Sequence, residues 1–154
     1  LIGSSMGAWI MLMLVKRIPQ KISAIIGLAP APDFPKILIW DKMTGNEKRK
    51  LVKNRKTSIK YEDGSKNDFS YKLIKDSFKN LTLSKSIPFN GPVYLYHGMA
   101  DDAVPYDLSI KIIKTFKGTK DIKLLLDKYA SHRLSETKQL KNITNIIEEI
   151  KTKI

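Results

Sequence analysis

Eight consecutive apolar residues, Ala8-Trp9-Ile10-Met11-Leu12-Met13-Leu14-Val15, stand directly behind a Gly-Ser-Ser-Met-Gly turn. A helix with no polar face belongs in an interior, so this run predicts a helix buried on every side. Lys16-Arg17 suit its C-terminus, and Pro19 cannot continue the ladder. Leu1-Ile2 reads as the tail of a buried strand ahead of the turn. Three further short apolar runs are bounded by turn residues: 22–29, 93–96 and 121–126. The first is β-branched, as expected of an internal parallel strand, and the other two read as further strands. Between and after them, 106–116 reads as an amphipathic helix with Leu108, Ile112, Ile113 and Phe116 inward. A last helix spans about 136–151, with Leu140, Ile143, Ile147 and Ile150 on one face and Ser135 as N-cap. Strands alternating with helices imply an α/β fold, a doubly wound parallel sheet covered on both sides.

Between 34 and 88 the pattern breaks into charged and amphipathic stretches. Residues 35–40 are apolar, 47–56 are nearly all basic, and 71–78 have helical spacing. The organisation expected is therefore a turn with its following strand and helix over 1–33, an insertion over 34–88, and a carboxyl-terminal core over 89–154. The chain has 154 residues, 42% of them hydrophobic, and no cysteine. That leaves hydroxyl, carboxylate and imidazole groups to carry chemistry, and removes disulfides, thiolate metal sites and a cysteine nucleophile. No apolar run approaches the roughly 20 residues needed to span a bilayer.

Twenty-eight Lys and Arg against fifteen Asp and Glu give a net charge of +13. Focused on one surface, such a charge would favour nucleic acid or anionic lipid. Here lysine is spread from Lys16 to Lys153, with no aromatic-basic RNA motif and no zinc-finger spacing. Solvated lysine accounts for it, and no nucleic-acid partner is expected. The rival reading, a basic nucleic-acid binder, predicts affinity that falls steeply with salt.

Gly3-Ser4-Ser5-Met6-Gly7 fits G-x-S-x-G, with Ser5 between a strand end and a buried helix, the context that motif requires. The flanking glycines are expected because strand and helix leave no room there for Cβ atoms. The Met6 N–H lies at the helix N-terminus, where position and dipole both favour a developing oxyanion. A hydroxyl nucleophile needs a base, and the chain offers two histidines. His97 ends a strand and precedes Gly98, which suits a structural residue. His132 follows a strand in a polar loop, where parallel sheets place ligands. The carboxylate that holds the imidazole is Asp101 or Asp102, both after the 93–96 strand; adjacent aspartates there also suit an Asx turn. Serine, acid, histidine is the chain order of α/β-hydrolases.

Together, Gly3 to Gly7, Tyr96-His97-Gly98-Met99-Ala100-Asp101-Asp102-Ala103-Val104-Pro105 and Ser131-His132-Arg133-Leu134-Ser135-Glu136 resemble an α/β-hydrolase-fold serine esterase. The middle block is similar to that family's H-G-x-x-D-x-x-V-P element, which implies Asp101 as the acid. The S-H-R-L-S segment, with residues 29–34 and 39–42, is similar to the palmitoyl-protein thioesterase and acyl-glucuronide esterase subfamily. The likeness runs over nearly the whole chain and implies that the insertion caps the active site. Phe34, Ile37, Leu38, Ile39 and Trp40 then either line an apolar acyl pocket or pack the cap. The resemblance implies serine hydrolysis of a small acyl ester or thioester by Ser5, Asp101 and His132, with Met6 N–H in the oxyanion hole and no metal or organic cofactor.

In that family four strands, and the loop giving the second oxyanion-hole amide, precede the elbow. The expectation is therefore that these residues are the carboxyl-terminal part of a hydrolase, with half an oxyanion hole. One missing donor typically costs about 10²–10³ in rate. The alternative expectation is an inactive remnant, or a split-gene half completed by the amino-terminal half as a separate chain. From a start at Leu1 targeting cannot be read, and the default expectation is a cytoplasmic protein.

Overall fold

The computed structural model describes residues 1–60, 64 and 66–154. They divide into two compact units, one made of Leu1–Pro32 and Thr82–Ile154, the other of Asp33–Leu81.

The first unit is built on four parallel strands in the order β1 (Ile2–Ser4), β2 (Ile25–Leu28), β6 (Val93–Gly98), β8 (Ile122–Asp127). Register follows the side-chain alternation: Ile25 faces Val93 and Ile26 faces Tyr94. One set of alternate residues, Ile25, Val93 and Leu95, packs with Ala8, Met11, Leu12 and Val15 of α1 (Met6–Arg17) and Ile112 of α4 (Asp107–Thr115). The other set, Ile26 and Tyr94, packs against Ile146, Ile147 and Ile150 of α5 (Thr137–Lys151). The inner strands β2 and β6 are thus covered on both faces, and β6 is buried along its whole length. Buried strands flanked by helices are the reason these segments carry nearly continuous apolar runs.

Tyr94 also ties three elements together through its hydroxyl, which lies 2.8 Å from Glu149 Oε1 and 3.2 Å from Asp121 Oδ1 and accepts from Lys153 Nζ. A second parallel pair, β5 (Ile87–Phe89) with β7 (Phe116–Gly118), extends the core at one end. Neither strand is visible in the periodicity, since each is only three residues long. Ile87 and Phe89 belong to the first unit, so the second unit ends at Leu81 and not at the expected 88.

Three expectations about helices change. α1 is not buried all round: Ile10 and Leu14 are exposed, because among the described residues no element covers that face. α5 begins after Glu136 and not Ser135; Glu136 and Gln139 cap each other reciprocally, and the Glu136 amide donates to Gln139 Oε1 at 3.0 Å. Leu140 is exposed, and buried Gln139 stands at the start of the inward stripe that Ile143, Ile146, Ile147 and Ile150 continue.

The second unit opens with a π-helical turn, Pro35–Trp40, whose Asp41 amide donates to Lys36 O at 2.8 Å. α2 (Gly45–Asn54) starts at a Thr44–Glu47 capping box and ends at Arg55 in left-handed backbone. An antiparallel pair, β3 (Lys56–Lys60) and β4 (Lys66–Ser70), then leads into α3 (Tyr71–Ser77). The hairpin is unannounced by the sequence because alternation is weak in strands this polar and exposed. Trp40 packs edge-on to Phe78 at 5.9 Å, and Phe34 on Phe69 at 6.0 Å, so these two of the five apolar residues expected to line a pocket or pack the cap make aromatic contacts inside their own unit.

Candidate active site

Ser5 is the corner between β1 and α1. Its amide donates to Leu28 O at 2.9 Å, and its carbonyl accepts from Ala8 and Ala31 amides at 3.1 and 3.2 Å. Held on both sides, the residue adopts φ 51°, ψ −118°. Such backbone costs an L-residue about 1–3 kcal/mol and persists only where surroundings impose it. A serine at a helix N-cap ordinarily turns its hydroxyl to an amide one turn in. Ser5 makes no such bond; its Oγ stands 3.0 Å from His132 Nε2 instead.

The two glycines of the turn differ. A Cβ on Gly3 would lie 2.7 Å from Ala8 Cα and from Gly7 O, both main-chain atoms that cannot yield. A Cβ on Gly7 would meet nothing within 4 Å. The expectation that both exclude a side chain therefore holds for Gly3 alone: Gly7 sits in the first turn of α1, on a side that no described residue approaches. Met6 supplies the first amide of α1, one of the four that a helix leaves without an internal acceptor.

His132 sits in the loop between β8 and α5. That loop is docked on the end of β6 by Met99 N–H to Asp127 O at 2.8 Å and Ala100 N–H to Ala130 O at 3.2 Å. A Cβ on Gly98 would come within 2.0 Å of Ala130 O, so only glycine lets the loop lie this close. Buried Ala130 and Leu134 pack with Ala29 and Tyr96 and hold the loop from beneath. The His132 ring, partly exposed, points Nδ1 at Asp101 Oδ2 across 2.7 Å.

Asp101 does two jobs that the sequence presented as alternatives. Its Oδ1 accepts from the amides of Ala103 and Val104 at 3.0 and 2.8 Å, an Asx turn, while Oδ2 faces His132. The side chain is fully buried. Burial pushes its carboxyl up, but the hydrogen bonds from His132, His97 and the Val104 amide, with the His132 charge, outweigh it and hold the group down at about 2. Asp102 is exposed and has no place in this arrangement. His97, read as a structural strand terminus, is buried with Nε2 3.0 Å from Asp101 Oδ2. The signal for it was the four-residue spacing from His97 to Asp101 across a turn. Ser5, His132 and Asp101 thus form one hydrogen-bonded line, with a hydroxyl at one end and a buried carboxylate at the other. Such a line can take a proton from the hydroxyl. Among the described residues no group of three His, Asp or Glu could hold a metal ion, and no helix is long and apolar enough to cross a membrane.

No family model matches the chain. Over its whole length it is 30% identical to human palmitoyl-protein thioesterase ABHD10, mitochondrial, of which it covers 50%. The rat protein of the same name is 28% identical. The chain thus spans about half the length of the curated relatives it matches. Among solved structures, mouse alpha/beta hydrolase domain-containing protein 10 superposes with a TM-score of 0.88 at 26% identity, covering 99% of this chain and 61% of that one. A protein from Agrobacterium vitis S4 gives 0.88 at 30% identity, with 97% and 59% covered. Sheet order and likeness agree: the chain has the α/β-hydrolase fold, corresponds to its carboxyl-terminal part, and is similar throughout to the mammalian palmitoyl-protein thioesterase ABHD10.

Proposed function

We propose that the chain carries the acyl-transfer machinery of a serine hydrolase acting on carboxylic esters or thioesters. The observation that carries this reading is the continuous line Ser5 Oγ, His132 Nε2, His132 Nδ1, Asp101 Oδ2, with separations of 3.0 and 2.7 Å. Ser5 Oγ bonds to the acyl carbon as its proton passes to His132 Nε2. Asp101, kept ionised, orients the ring and stabilises the imidazolium. The carbonyl oxygen becomes an oxyanion beside the Met6 N–H at the start of α1, where the helix dipole favours it. Collapse expels the alcohol or thiol, which takes the proton from His132. Water then repeats the sequence on the acyl-serine, giving the acid and free Ser5. Each step uses protein groups and water.

The likeness to a thioesterase supports an acyl substrate, and the Ser5 conformation supports a nucleophile held at the cost of backbone strain. The test is steady-state hydrolysis of a p-nitrophenyl ester and of an acyl thioester by the full chain, with Ser5→Ala and His132→Ala beside it. Either variant should lower kcat by about 10³ or more while leaving the fold intact. Turnover unchanged in Ser5→Ala would contradict the reading.

A further inference from the structure

His97 ends β6 and is fully buried. Its Nε2 faces two oxygens, Asp101 Oδ2 and Val104 O, each at 3.0 Å. A carbonyl and an ionised carboxylate only accept, so that nitrogen must bear the proton. Nδ1 lies 2.7 Å from the hydroxyl of Ser109, itself buried on α4. With Nε2 protonated, the neutral ring accepts at Nδ1 and the Ser109 hydroxyl donates. The two acceptor oxygens thereby select the tautomer that places a donor against Asp101, and the Ser109 hydroxyl, able to donate or accept, completes it.

We propose that His97 is a positioning residue for the site, a buried donor that fixes Asp101 so that Oδ2 meets His132 in one orientation. This rests on the serine-hydrolase reading above. Three donors hold the carboxylate without help from His132: the Ala103 and Val104 amides on Oδ1 and His97 Nε2 on Oδ2. All three belong to β6 or the turn that follows it. The acid is therefore set by the sheet, and the His132 loop docks onto an acceptor already aimed. Were His97 only filling space at the strand end, an apolar residue of like volume would serve equally well, and the identity of its protonated nitrogen would not matter.

The test uses the full chain labelled with ¹⁵N at histidine, which has two imidazoles to resolve. In the unsubstituted protein His97 should carry its proton on Nε2, with Nδ1 bare; the opposite tautomer overturns the proposal without any variant. His97→Gln retains an N–H that can reach Asp101, and His97→Leu does not. With a fluorophosphonate probe, Leu should slow acylation of Ser5 by about tenfold or more, since small misplacements of catalytic groups carry large rate penalties. Gln should restore the rate to within about threefold. The His132 Nδ1–H signal should persist in the Gln variant and exchange away in the Leu variant. Equal rates for Leu and the parent, or a Gln variant no better than Leu, overturn the proposal. If His97→Leu fails to fold, the parent tautomer and the Gln variant still decide. If the parent serine takes no probe, the hydrolase reading fails, and the tautomer with the His132 signal decides for His97 alone.

Discussion

Asp101 Oδ2 stands 2.7 Å from His132 Nδ1, while Oδ1 of the same carboxylate closes the turn at Ala103 and Val104. One side chain thus shapes the end of β6 and aims the imidazole of a loop 31 residues later. Its carboxyl is held at about 2 against an ordinary 3.8. The ionised form is favoured by the fold, so the stabilisation is complete above about pH 4 and is lost as pH falls through about 2. A depression of this size corresponds to about 2 kcal/mol. Urea unfolding at pH 5, 4, 3 and 2 should show the parent losing about that much more stability than Asp101→Asn over the window. Parallel curves would contradict the account.

Backbone strain at Ser5 makes a second prediction. Its φ 51°, ψ −118° lies in the mirror of the extended region, which glycine enters freely. Ser5→Gly should raise unfolding stability by about 1 kcal/mol, the relief of strain less the entropy of glycine. Ser5→Ala, which keeps the Cβ, should not. A denaturation midpoint for Ser5→Gly at or below that of Ser5→Ala would show that the corner is unstrained.

The two glycines of the Ser5 turn should respond oppositely to alanine. Gly3→Ala drives a Cβ into Ala8 and Gly7 main-chain atoms at 2.7 Å and should cost about 3 kcal/mol or more. Gly7→Ala adds a methyl to open space inside a helix and should stabilise by up to about 1 kcal/mol. Thermal melts of the two variants separate the cases, and destabilisation by Gly7→Ala would show that the first turn of α1 is more crowded than its geometry implies.

The inner strands β2 and β6 and the helices of the first unit were legible because their apolar residues run together or recur on one face. Strands β5 and β7 were not, being three residues each with pairing set by tertiary contact. The β3–β4 hairpin was hidden by its polarity, and the exposure of Ile10 and Leu14 by the rule that an all-apolar helix is an interior one. At the site, chain order and strand-end position brought out Ser5, His132 and the Asp101–Asp102 pair. Which aspartate faces the imidazole depends on a turn whose shape is set by Oδ1 bonds no periodicity reports. His97 was read as structural because burial, and not its type, decides what it touches.

The account stands on Ser5 being an activated nucleophile, and covalent capture reads that directly. The 154-residue chain and its Ser5→Ala variant would be treated with a fluorophosphonate and weighed intact. The account predicts one adduct on the parent, mapped to Ser5, and none on the variant. Equal labelling of the two, or none on a folded parent, would contradict it.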